Sequence, residues 1–198
     1  MLAHAETLQE SARIRLRSTG GDPVIAMAIG RVIRDKGLTL KLDGACMSSC
    51  AEFLLPAARR IEFGPNALVG FHQSPELMRD IARRDNIWDD VPLCGSTATA
   101  EDARAYREEM GVDPEFWRTT QSRLGTVNMK MSLDAGRGCA NMHGHYAHSW
   151  WFPGSDVLRD DFGINGEGTV CADSASCRKR AREKLEELDP QFATVRFD

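Results

Sequence analysis

From Arg13 through Ile14, Arg15, Leu16 and Arg17, charged and apolar residues alternate, the period of two that suits a half-exposed β-strand. The run stops at Ser18-Thr19-Gly20-Gly21, and the period then changes. Asp22 can cap a helix with its side chain, and Pro23 suits the first helical position, where its missing N–H costs nothing. Val24, Ile25, Ala28, Ile29, Val32 and Ile33 then recur at helical spacing up to Gly37, which can close the helix in a left-handed conformation. Leu38, Leu40 and Leu42 alternate with Thr39, Lys41 and Asp43, so a second strand completes a strand–helix–strand unit. Residues 7–12, ahead of the first strand, read as helical.

After Gly44 comes Cys46-Met47-Ser48-Ser49-Cys50, a small polar segment between that strand and an apolar helix over 51–58, which Pro56 stops or bends near Leu55. Residues 61–63 and 67–71 are short strands around a Gly64-Pro65-Asn66 turn, and His72 ends the second of them. Further on, 75–84 is a helix, 85–99 a loop or lid, 100–110 a charged helix, and Asp113-Pro114 opens another that reaches about Leu124. Residues 125–149, rich in glycine and histidine, form an irregular insertion; Trp150-Trp151-Phe152-Pro153 is an aromatic patch before a short helix closed by Gly163. The segment 178–188 mixes charges at i,i+4 spacing and reads as a solvent-exposed helix. Strands alternating with helices through short connections predict an α/β layered architecture. The expected organisation is a single domain over 1–170, with its core at 13–90, and a charged helical tail over 171–198.

Composition narrows the function classes. A chain of 198 residues can bury one adequate core, and 42% hydrophobic with 27% charged residues is ordinary for a soluble protein. No apolar run approaches the roughly 18 residues of a membrane span. A net charge of -4 with scattered basic residues argues against nucleic acid as a partner. Six cysteines stand at positions 46, 50, 94, 139, 171 and 177. Cys46–Cys50 and Cys171–Cys177 are close pairs, and Cys94 with Cys139 could tie the lid to the insertion, which together would imply an oxidising compartment. The start of the chain carries no secretory signal, and a chain truncated at its N-terminus would reconcile the two. Six unpaired buried thiols in the cytosol are the alternative.

Three parts of an acyl-transfer site lie at the ends of the expected strands. Ser48 at a strand-to-helix turn can present its hydroxyl as a nucleophile, and His72, closing another strand, can be its base. The backbone N–H groups of Gly21 and Ser49 can form an oxyanion hole, since glycine lets the chain approach a substrate oxygen closely. Cys139, His143, His145 and His148 are a competing constellation whose ligand types suit zinc without matching a recognised spacing; no metal or other cofactor is expected.

Ser18-Thr19-Gly20-Gly21, Cys46-Met47-Ser48-Ser49-Cys50-Ala51, Arg60 and Gly70-Phe71-His72-Gln73 resemble the ClpP/crotonase-like superfamily, and most closely its periplasmic Clp-protease-like proteins, in which a serine between two cysteines precedes a Gly-Phe-His segment. The resemblance spans about residues 13–75. It implies a layered βαβ spiral core, serine peptidase-like activity through Ser48 and His72, a Gly21 and Ser49 oxyanion hole, peptide or protein substrates, homo-oligomers and a periplasmic or other extracytoplasmic location. Ser49 becomes the nucleophile if the register slips by one. Thr19 replaces the family's proline, and its third triad residue, an aspartate, has no direct match: His148-Ser149-Trp150 stand there, with Asp134 and Asp156 as the neighbouring candidates. A catalytically silent binding or assembly module, or an acyl-CoA-binding relative, are the other functions the same fold would carry.

Overall fold

The structure is a computed structural model that describes residues 6–72, 75–87, 100–124, 130–143, 148–160, 162–188 and 192–197. It is a mixed α/β protein built on a parallel sheet. Strand β1 (Arg13–Ser18) leads through the Gly20-Gly21 turn into helix α1 (Pro23–Asp35), and β2 (Thr39–Met47) returns parallel to β1. Asp22 caps α1 as its position demands, accepting hydrogen bonds from the amides of Val24 at 2.7 Å and Ile25 at 3.2 Å. Leu38, Leu40 and Leu42 are fully buried, and Ile33 of α1 packs into the same cluster.

Strand β2 is long enough to serve two neighbours on one side. Its first half, Thr39 to Leu42, pairs with β3 (Arg60–Phe63), and its second half, Ala45 to Met47, pairs with β4 (Leu68–Gly70). Gly44, at φ 136°, marks the bend between the halves. Strand β8 (Gly166–Glu167) adds to the far side of β3. The ends of β2 and β4 thus reach the same end of the sheet, where a parallel α/β layer gathers its ligands.

The chain leaves β2 through Ser48 into a π-helical turn, Cys50–Leu54, which ends at Leu55 before Pro56. Helices α2 (Pro75–Arg84), α3 (Ala100–Met110) and α4 (Glu115–Leu124) follow. The expected insertion over 125–149 is more regular than its glycines suggest: β5 (Lys130–Asp134) and β6 (Cys139–His143) form an antiparallel hairpin. Asp134 nucleates its turn, accepting from the amides of Gly136 and Arg137 at 3.2 Å each. Strand β7 (His148–Phe152), helix α5 (Ser155–Asp160), a 3₁₀ turn at Cys171–Asp173, helix α6 (Ala175–Leu188) and β9 (Phe192–Phe197) complete the chain.

Two expectations are corrected here. Residues 7–12 are turns rather than helix, with Ser11 at φ 57°. The tail is not only a solvent-exposed helix: Cys177, Ala181 and Leu185, four residues apart, bury one face of α6 in the main hydrophobic cluster, and β9 pairs parallel with β7. Of the expected lid over 85–99, residues 88–99 lie outside the described residues. No helix among the described residues is long and apolar enough to cross a membrane.

Candidate active site

Ser48 stands where extended backbone must become helical within one residue. It adopts φ 55°, a left-handed conformation that a non-glycine residue takes up only when its surroundings hold it. Three restraints do so. Its amide donates to the Gly70 carbonyl at 2.9 Å, its carbonyl accepts from the Glu52 amide at 3.0 Å, and a Cys46–Cys50 disulfide, with Cα atoms 5.2 Å apart, closes the chain on either side. The serine side chain, half-buried, is therefore presented at the sheet end by backbone bonds to β4 and by the covalent ring.

The Gly20-Gly21 turn passes directly over it. A β-carbon on Gly20 would meet the Ser48 β-carbon at 2.6 Å, so the close approach itself requires glycine, as does φ 107°. The Gly20 amide is taken by Ser18 Oγ at 3.2 Å. Ser49, buried, donates its hydroxyl to the Gly21 carbonyl at 2.8 Å, which ties the glycine turn to the serine turn and fixes the direction of that peptide. The Gly21 amide has no hydrogen-bond partner among the described residues. Ser49 precedes the π-helical turn, where amides have no intrahelical acceptor.

His72 follows β4. The amide and carbonyl of Phe71 pair with Trp151 of β7 at 2.8 and 2.9 Å, which sets the direction of the next side chain. The imidazole Nε2 lies 2.5 Å from Ser48 Oγ, while Nδ1 is shielded from solvent. The ring rests on Trp150, centroids 4.5 Å apart and planes 37° from parallel. Ser48 and His72, expected from sequence to meet, are in hydrogen-bond contact; the alternative nucleophile, Ser49, spends its hydroxyl on Gly21.

The structure places the two candidate aspartates in the first turn of α5 and at the β5–β6 turn. Asp156 is exposed in the first turn of α5 and makes no hydrogen bond to His72. Asp134 caps the β5–β6 turn and pairs with Arg137 at 2.8 Å. Cys171–Cys177 is a second disulfide, with Cα atoms 5.2 Å apart. Cys139 is disulfide-bonded, whereas Cys94 lies outside the described residues. A sulfur held in a disulfide offers no thiolate, which removes Cys139 from the competing constellation of zinc-type ligands; His145 and the side chains of His143 and His148 lie outside the described residues.

A support beneath the serine turn escaped the sequence reading. Glu52, on the π-helical turn, is buried, and Oε1 has no hydrogen-bond partner among the described residues. Burial pushes its carboxyl up to about 8, against the opposing pull of the Arg107 charge. The same burial pushes the Arg107 guanidinium down to about 10, with Glu52 pulling it back up. Next to Arg107 on α3, Tyr106 donates its hydroxyl to the Phe53 carbonyl at 2.6 Å, satisfying a π-helical acceptor. Gly30 of α1 makes the room: a β-carbon there would lie 1.8 Å from that hydroxyl. The available signal was Glu52 itself, a single charge in the otherwise apolar run that follows Ala51.

The arrangement can activate a serine hydroxyl and offer backbone donors beside it. No family model matches the chain, and neither a curated protein nor a solved structure does.

Proposed function

We propose that the chain is a serine peptidase-like hydrolase of the ClpP/crotonase-like superfamily, acting by acyl transfer on peptide or protein substrates. The observation that carries this reading is the 2.5 Å contact between Ser48 Oγ and His72 Nε2, made at a left-handed serine beside a glycine turn. In the first half-reaction Ser48 Oγ bonds to the substrate carbonyl carbon as its proton passes to His72 Nε2. The oxyanion that forms is met by the amides of Gly21 and Ser49. Collapse breaks the carbon–nitrogen bond, the amine leaves with the proton from His72, and an acyl ester on Ser48 remains. Water then attacks the ester and gives its proton to His72; the proton returns to Ser48 Oγ as the carboxylic acid departs. A positioned base contributes about 10²–10⁴ in rate and one oxyanion donor about 10²–10³.

Location and assembly complete the reading. Buried disulfides at Cys46–Cys50 and Cys171–Cys177 favour an oxidising, extracytoplasmic compartment. Homo-oligomerisation follows from the family resemblance alone.

The test is covalent labelling of the oxidised protein with a fluorophosphonate. Wild-type protein labels at Ser48; Ser48→Ala abolishes labelling and His72→Gln slows it by at least about 100-fold. Labelling that survives Ser48→Ala overturns the assignment, and a wild-type protein inert to the probe points to a catalytically silent module on the same fold.

A further inference from the structure

We infer that Trp150 is the positioning residue for His72, holding the imidazole in line with Ser48 and favouring its protonated form through the face of the indole. The inference rests on the acyl-transfer reading for its consequence, and on geometry for its substance. Trp150 is buried in β7, so its ring is a fixed surface rather than a mobile cover. Two observations fix its place. The antiparallel bridge between Phe71 and Trp151 locks the backbones of the two neighbouring residues together. A stacked contact with Phe152, at 6.0 Å and 15°, backs the indole from within the same strand.

The imidazole centroid is 4.5 Å from the indole centroid, inside the range of about 6 Å over which a cation is attracted to an aromatic face. Among aromatic side chains the indole has the strongest such attraction. When Ser48 Oγ gives its proton to Nε2, the ring becomes a cation against that face, which steadies the ion pair the reaction must form. The same contact restricts rotation about the ring's side-chain bonds, so that Nε2 stays directed at Ser48 Oγ. The aspartates expected to orient the histidine are Asp134, which caps a hairpin turn, and Asp156, which is exposed; neither position explains why an indole is packed on the ring.

The experiment follows the His72 ring by NMR, with His72→Gln to assign its signals, alongside fluorophosphonate labelling at a series of pH values. In wild-type protein the His72 carbon-bound ring protons are displaced upfield by the indole. In Trp150→Leu that displacement disappears, the midpoint of the ring titration falls by roughly 0.5–1 in pH, and labelling slows about 10-fold, its pH profile moving with the ring. Trp150→Phe, which keeps a ring in the core, restores part of each effect and serves where the leucine variant fails to fold. Wild-type ring protons without upfield displacement overturn the inference, as does a folded Trp150→Leu with unchanged midpoint and labelling. Should wild-type protein resist the probe, the acyl-transfer reading falls. The ring displacement and midpoint then still decide the Trp150 contact by themselves.

Discussion

Gly20 and Ser48 are packed so tightly that a β-carbon on the glycine would lie 2.6 Å from the β-carbon of the serine. Two turns from different strand ends thereby share one small space, and the nucleophile candidate and the oxyanion candidate become a single unit. Gly20→Ala strikes that unit twice, by the clash and by placing an L-residue at φ 107°. The expected cost is roughly 2–4 kcal/mol in urea unfolding. Fluorophosphonate labelling should fall at least about 10-fold in the fraction that remains folded; an alanine variant as stable and reactive as wild type would mean that the turns are not coupled.

Ser49 separates the role of its hydroxyl from that of its amide. Ser49→Ala removes the 2.8 Å bond to the Gly21 carbonyl and leaves the backbone donor in place. Stability should drop by about 1–2 kcal/mol, and labelling at Ser48 should slow without vanishing. Complete loss of labelling, with peptide mapping that finds the adduct of wild-type protein on Ser49, would reverse the roles of the two serines.

The disulfide around the serine makes a chemical prediction. Mass spectrometry without reductant should find a Cys46–Cys50 linked peptide, and since both residues are buried, reduction should require a denaturant. Replacing both cysteines by alanine removes a short ring from the unfolded chain and should cost about 2 kcal/mol, read as a lower urea midpoint.

Much of this was legible along the chain because local chemistry and global fold agree there. The alternation over Arg13 to Arg17, the Asp22-Pro23 helix start and the Leu38, Leu40, Leu42 series each describe one element that the sheet then uses unchanged. Ser48 and His72 were legible because each ends a strand, and parallel strands carry their ends to one edge. The hairpin around Asp134 was obscured by its glycines, although Lys130 to Asp134 alternates and Asp134 to Gly138 has turn chemistry. The buried face of α6 was hidden because three small or single apolar residues, Cys177, Ala181 and Leu185, are outnumbered by charges. Tyr106 and Arg107 could not be read at all as parts of the site, and Trp150 only as a neighbour of the missing aspartate: their roles depend on which partners the fold brings from more than 50 residues away, as Tyr106 and Phe53 show with a separation of 53.

Glu52 should make stability depend on pH in a defined window. Its carboxyl is pushed from 4.5 up to about 8 in the folded protein, chiefly by burial. Below about 4.5 both folded and unfolded forms are protonated and the contribution is fully present; between these values the unfolded chain has released its proton and the folded one has not. Stability therefore falls as pH rises from about 4.5 to 8, by an amount on the order of 3–4 kcal/mol. Glu52→Gln cannot ionise and should flatten that slope, measured as the difference in unfolding free energy between pH 5 and pH 8.5. An unchanged slope would assign it to other groups.

The strongest test of the support beneath the site is the coupling between Gly30 and Tyr106. Gly30→Ala puts a β-carbon 1.8 Å from the Tyr106 hydroxyl, which is itself held by the Phe53 carbonyl, so the tyrosine must leave its place. A loss of roughly 2–4 kcal/mol is expected, since both overpacking and an unsatisfied acceptor are involved. Tyr106→Phe alone deletes the hydroxyl and leaves the Phe53 carbonyl without that donor, costing about 1–2 kcal/mol. In the double variant the atom at 1.8 Å is gone, and the nearest remaining neighbour is the Phe53 carbonyl oxygen at 2.8 Å. The double variant should therefore be more stable than the sum of the single effects allows, by at least about 1 kcal/mol in a double-mutant cycle. Labelling at Ser48 should follow the same order, because the π-helical turn that holds Phe53 begins two residues after Ser48. Strict additivity would show that Tyr106 reaches Phe53 without constraining α1.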